Sequence, residues 1–194
     1  MNCILIIGKS GEGKTYFTKK NFVLNKDCFV IDVNLEYDTD RRTDPGGLDA
    51  IKSPKLSGDM RTKRSRYIWN NKIKSSENIR NFLFVAAQKT NCNIIFDEAT
   101  LFFSGALTSD TTKSLIIGRK HKNVNCIFLF HAIRDVPPFF YAHANYVVLF
   151  KTEDTADNIP NKGEFLIPYF NKVKKMPKHG FLIIDKENAH KKNG

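Results

Sequence analysis

Apolar residues fall along the chain in short blocks separated by longer polar stretches. Cys3–Ile7, Cys28–Val33, Arg66–Trp69, Asn93–Phe96, Asn125–Phe130, Tyr146–Phe150 and Phe181–Ile184 are strand-sized, and several are apolar at nearly every position. Unbroken apolar runs of that length belong to strands buried on both faces of a sheet. Between them, helix-spaced segments are predicted at Lys14–Leu24, Ser76–Lys89, Ser109–His121 and Pro138–Ala144. The second has Ser75 or Ser76 as its cap and Glu77 in its first turn. Pro137-Pro138 stops the preceding loop and pre-sets the start of the fourth. The alternation predicts an α/β fold with a mostly parallel central sheet flanked by helices.

The residues between the first strand and the first helix sharpen that picture. Gly8-Lys9-Ser10-Gly11-Glu12-Gly13-Lys14-Thr15 fits the phosphate-cradling pattern G-x-x-x-x-G-K-[ST] without a mismatch, between a strand and a helix as the motif requires. Nucleotide binding by Gly8 to Thr15, with Tyr16 directly after, is the expectation. Lys14 contacts the β- and γ-phosphates.

A second motif stands at the end of Asn93–Phe96, where Asp97-Glu98 follow. Beside a P-loop, Asp97 and the Thr15 hydroxyl orient Mg²⁺, and Glu98 polarises a water for attack on the γ-phosphate. An acidic pair at a strand end also serves as a simple helix cap. His131 ends the strand Asn125–Phe130 and is placed to sense the γ-phosphate or the attacking water, its alternative being a backbone-satisfied strand end. Arg119, before that strand, and Arg134, after its tip, are candidate arginine fingers for a neighbouring subunit, or plain surface charges.

Composition adds size and charge. The 194 residues, 41% hydrophobic, suit one domain with a sizeable core. No apolar run approaches a membrane span, and Met1-Asn2 leads straight into a strand without a signal peptide, so a soluble intracellular protein is expected. Cys3, Cys28, Cys92 and Cys126 form no C-x-x-C pair and read as buried reduced thiols. The formal net charge is +11. Eight Lys/Arg lie between Lys52 and Lys74 against Asp59 alone, and seven Lys lie in 171–194. Clustered positive charge suits a phosphate-backbone partner, or else a solvated basic surface. The domain reading is therefore 1–194, with a basic insertion at about 38–75 and a Lys-rich extension at about 171–194.

Four segments together resemble the FtsK–HerA superfamily of DNA-pumping ATPases: GKSGEGKT, IDVNLEY at Ile31–Tyr37, IIFDEA at Ile94–Ala99, and GRKHKNVNCIFLFHAIRDVPP at Gly118–Pro138. The resemblance covers roughly Met1 to Phe150. It departs from the family at His131, where Gln is usual; His keeps donor and acceptor but brings possible pH dependence. It implies a RecA-like (ASCE) P-loop NTPase fold, in which the sensor strand lies between the P-loop strand and the Asp-Glu strand. The small size and basic excursion look most like the genome-packaging ATPases of tailless, membrane-containing double-stranded DNA viruses. That likeness implies ATP and Mg²⁺ as cofactors and double-stranded DNA, moved on pore-lining Lys and Arg of 52–74, as a partner. It further implies a homo-oligomeric ring, typically a hexamer, capsid vertex proteins as partners, and location at a virion's packaging vertex and in the host cytoplasm. Two other functions stay open: a nucleotide or small-molecule kinase, with Arg61, Lys63, Arg64 and Arg66 in a lid, and a related motor for virion extrusion or conjugative transfer.

Overall fold

The computed structural model of the chain describes residues 1–23, 27–31, 36–37, 66–69, 83–84, 86–103 and 110–191; for 66–69, 190 and 191 only the backbone is described. The strands are β1 (Cys3–Ile7), β2 (Cys28–Ile31), β3 (Arg66–Trp69), β4 (Asn93–Phe96), β5 (Asn125–Phe130), β6 (Tyr146–Phe150) and β7 (Phe181–Asp185). They form one seven-stranded sheet in the order β3-β2-β4-β5-β1-β6-β7. All neighbours are parallel except β6 and β7, which pair antiparallel. β5 therefore lies between the P-loop strand β1 and the Asp-Glu strand β4, as the family resemblance implies.

The helices are α1 (Lys14–Thr18), α2 (Ala99–Phe103), α3 (Asp110–Gly118), α4 (Pro138–His143), α5 (Ile167–Lys174) and α6 (Lys186–Lys191). The helix expected at Lys14–Leu24 is α-helical only through Thr18 and widens to a π-helical turn over Lys19–Val23. The helix expected to reach His121 stops at Gly118, where a turn begins. Of the helix expected at Ser76–Lys89, residues 83–84 and 86–88 are helical and the first part lies outside the described residues. So do Asp32 and most of the basic insertion; its Arg66–Trp69 stretch forms the sheet edge β3. Within the Lys-rich extension lie the end of α5, β7 and α6. No helix among the described residues is long and apolar enough to cross a membrane.

Burial explains the unbroken apolar runs. All five residues of β1 and all four of β2 and β4 are buried. Leu5, Ile7, Phe96, Phe128 and Phe130 belong to the core on one face, and Ile4, Ile6, Val30, Ile95 and Leu129 to that on the other. On the first face Phe96 and Phe128 stack at 4.8 Å, and Phe103 and Phe140 meet Phe128 edge-on at 5.6 and 4.7 Å. Edge strand β7 instead shows a half-exposed alternation.

The edge of the sheet where the parallel strands begin is stitched by asparagines. The Asn125 Oδ1 accepts from the Asn2 amide (2.9 Å), its Nδ2 donates to Asn93 Oδ1 (2.9 Å), and the Asn93 Nδ2 donates to Phe22 O (2.8 Å). Asn145 Oδ1 accepts from the Cys3 amide (2.9 Å). All four cysteines are free thiols. Burial pushes Cys3 up to about 12 and Cys92 up to about 11 from 9.0, so neither is a ready nucleophile.

Candidate nucleotide site

The opposite edge, where the parallel strands end, gathers Gly8 to Thr15, Asp97, Glu98 and His131. The phosphate loop is hung from neighbouring strands: Gly8 N donates to Phe130 O (3.1 Å) and Lys9 N to Lys151 O (2.8 Å). At Gly8 the chain passes so close to β6 that an added Cβ would lie 2.5 Å from the Phe150 Cβ. Gly11 and Gly13 adopt φ of +78° and +94°, a left-handed region open to glycine at little cost. Gly13 caps α1 without a capping side chain, so its first amides face the loop, the arrangement that favours an anion.

Lys14 follows at 8% exposure, its Nζ donating to Lys9 O across the loop (3.2 Å). Burial lowers its pKa, while Glu98, Asp97, Glu36 and Glu12 pull it back up, in that order of strength. The ammonium thus lies in the field of the Asp-Glu pair, with Glu98 its strongest carboxylate neighbour. Thr15 is half-buried, Ser10 and Gly11 are exposed, and Tyr16 is 73% exposed.

Asp97 and Glu98 leave β4 toward this loop. Asp97 is buried, its amide donating to Ile31 O (3.1 Å). Glu98 sits at φ +59°, a backbone that costs a non-glycine residue of this kind about 1–2 kcal/mol. Glu98 Oε2 meets His131 Nε2 directly. Glu98 and His131, 33 positions apart in sequence, thus meet at the tips of adjacent strands.

The two arginines separate. Arg134 lies in the loop after β5 on the site's edge, its side chain 47% exposed, with Nη1 3.6 Å from Asp154 and Nε 4.0 Å from Asp135. Arg119 precedes β5, at the opposite edge, and is buried. Its guanidinium donates to Ile116 O, to Asn145 Oδ1 (3.0 Å) and to His143 O (3.4 Å). The structure does not bring Arg119 to the nucleotide loop; it ties the end of α4 to the asparagine-stitched edge.

Two contributors carry no sequence signal. Asp154 looks like one more acid in a polar stretch after β6, yet it is buried, and its Oδ2 accepts from the Ile133 amide (2.7 Å). Together with Tyr141, whose hydroxyl donates to Ile133 O (2.6 Å), it fixes the loop after His131. His179, from the turn before β7, reaches Glu12: its amide donates to Glu12 Oε2 at 3.2 Å.

No family model matches this chain, and no curated protein matches it by sequence. Solved structures do match. The genome packaging NTPase B204 from Sulfolobus turreted icosahedral virus 2, in complex with AMPPCP, superposes with a TM-score of 0.76 at 17% identity, covering 97% of this chain and 94% of that one. The same protein in complex with AMP gives 0.72 at 18%, over the same shares. B204, the DNA-packaging ATPase from Sulfolobus turreted icosahedral virus, gives 0.67 at 19%, covering 97% and 94%. The chain therefore shares their fold along almost its whole length, a P-loop NTPase architecture.

Proposed function

We propose that this chain is an ATP-hydrolysing translocase that moves double-stranded DNA into a preformed viral capsid. The Glu98–His131 contact beside the P-loop carries the hydrolytic part. The likeness to packaging NTPases, some bound to AMPPCP or ATP-γ-S, supports the rest.

In this reading the α1 amides and Lys14 hold the triphosphate. Glu98 orients and deprotonates the attacking water. His131, bonded to Glu98, registers whether the γ-phosphate is present by keeping or yielding that contact. Thr15 and Asp97 would hold Mg²⁺, a fit in chemistry because that ion takes few protein oxygens and leaves its other positions to water and phosphate. Bound there, Mg²⁺ neutralises charge on the β- and γ-oxygens. Arg134 reaches a neighbouring subunit's γ-phosphate, which requires a homo-oligomeric ring; we take it to be a hexamer seated on capsid vertex proteins. Lys and Arg of 52–74 grip backbone phosphates without reading bases, as a motor for any sequence must. The protein would work at the virion's packaging vertex and in the host cytoplasm.

The test is Glu98→Gln. It should bind ATP with near-normal affinity and hydrolyse it at least about 100-fold more slowly, the usual worth of a positioned general base. Near-normal turnover removes Glu98 from the mechanism. ATPase activity that long duplex DNA leaves unstimulated, with phosphate passed to a nucleotide acceptor, replaces the motor by a kinase.

A further inference from the structure

The order of the strands gives the nucleotide site two unlike sides. Glu98 and His131 follow β4 and β5, on one side of β1; β6 and β7 lie on the other. A P-loop holds its ligand with the γ end at the Lys and the catalytic acid, and the α-phosphate further along the loop-to-helix junction. With the γ end toward β5 and β4, the sugar and base of the same nucleotide leave toward β6 and β7. What stands there is the turn Pro177–Gly180, closed by the Gly180 amide donating to Pro177 O (3.1 Å).

This turn is built onto the loop. His179 takes φ +65°, a left-handed region in which His, with Asn and Asp, is among the more frequent residues after glycine. Its amide is held by the Glu12 carboxylate, itself only 5% exposed. An added Cβ on Gly13 would lie 3.4 Å from His179 Nδ1, so the imidazole lies against a P-loop position that has no side chain. Below, Phe181 packs on Phe17 of α1 at 4.9 Å and on Phe150 at 5.2 Å. His179 nonetheless stays exposed. An exposed imidazole on a left-handed residue whose backbone amide is held by a buried carboxylate, beside the P-loop backbone, has the properties of a stacking platform.

We propose that the Pro177–Gly180 turn is the base-binding side of this site, with the His179 imidazole stacked on the nucleobase and Glu12 positioning the turn. The inference rests on reading Gly8–Thr15 as the triphosphate site. A ring face presents no donor pattern that distinguishes one purine from another, so ATP and GTP should bind within a few-fold of each other.

The experiment titrates the full chain, with Mg²⁺, against ATP, GTP and inorganic tripolyphosphate, comparing wild type with His179→Asn and His179→Phe. Asn keeps the left-handed backbone and removes the ring. With base–ring stacking lost, Kd for ATP should rise roughly tenfold in His179→Asn while Kd for tripolyphosphate stays within about twofold. His179→Phe should restore the ATP-to-tripolyphosphate ratio. An unchanged ratio in His179→Asn, or equal weakening of both ligands, overturns the proposal. Wild type that binds neither ligand overturns the triphosphate reading itself.

Discussion

Glu98 joins a catalytic assignment to a strained backbone, and two substitutions separate the terms. Its φ of +59° costs about 1–2 kcal/mol with a side chain of this kind, and Asn is among the residues that tolerate that region. Against that relief stands the contact with His131. The two side chains are 19% and 36% exposed, and a pair so partly hydrated contributes about 0.2–1 kcal/mol. Glu98→Asn removes both and should end between neutral and about 2 kcal/mol more stable. Glu98→Ala loses the same contact but keeps the strain, so it should fall about 1 kcal/mol below the Asn variant. For a chain of this size 1 kcal/mol moves Tm by about 2–4 °C. Melting followed by circular dichroism should therefore place Glu98→Asn about 2–4 °C above Glu98→Ala, and both should lose ATP hydrolysis by at least about 100-fold. Equal Tm values would show that the backbone stores no strain at Glu98, and retained hydrolysis would refute the catalytic assignment of Glu98.

Other outcomes follow from the same geometry. Arg119→Lys should lower Tm by several degrees, since its guanidinium bonds reach Ile116, His143 and Asn145, while ATP hydrolysis per folded molecule stays near wild type; Arg134→Ala should do the reverse in a steady-state ATPase assay. Gly8→Ala places a Cβ 2.5 Å from that of Phe150, an overlap worth about 1–3 kcal/mol of stability, readable as a lower urea midpoint. Asp154→Ala leaves the buried Ile133 amide unbonded, costing about 1–3 kcal/mol, and should depress kcat more than ATP affinity. With Cys3 and Cys92 raised from 9.0 to about 12 and about 11, the unfolded chain loses thiol protons first; their contribution is whole below pH 9 and declines as pH rises toward 12. Equilibrium denaturation from pH 8 upward should show that decline, and a Cys3→Ala/Cys92→Ala double variant should show it more shallowly, since Cys126, whose thiol burial also pushes up, remains.

Much of the architecture was legible because each strand of a parallel sheet must be apolar on both faces. β1, β4, β5 and β6 begin and end where the apolar runs do, and the P-loop and Asp-Glu pair need only local spacing. α5 escaped notice because Lys172 and Lys174 occupy its exposed face while only Phe170 and Val173 are buried in its middle. The missed site contacts are long-range by nature. Asp154 reaches Ile133 across 21 positions and His179 reaches Glu12 across 167; no periodicity encodes such pairs. Arg119 misleads for the same reason: its partners His143 and Asn145 are 24 and 26 residues away, so its burial is invisible in its basic neighbourhood.

The asparagine stitching has a mechanical consequence. Asn93, Asn125 and Asn145 bind strand starts through their side chains, Asn2 joining by its backbone amide, while the far edge ends in the loops of the proposed nucleotide site. The rim where the strands begin is thus tied by side-chain amides in addition to the backbone ladder. Any stroke begun at the nucleotide should turn the sheet as a rigid plate hinged at that rim, and amide hydrogens of Cys3, Asn93 and Cys126 should exchange among the slowest in the chain.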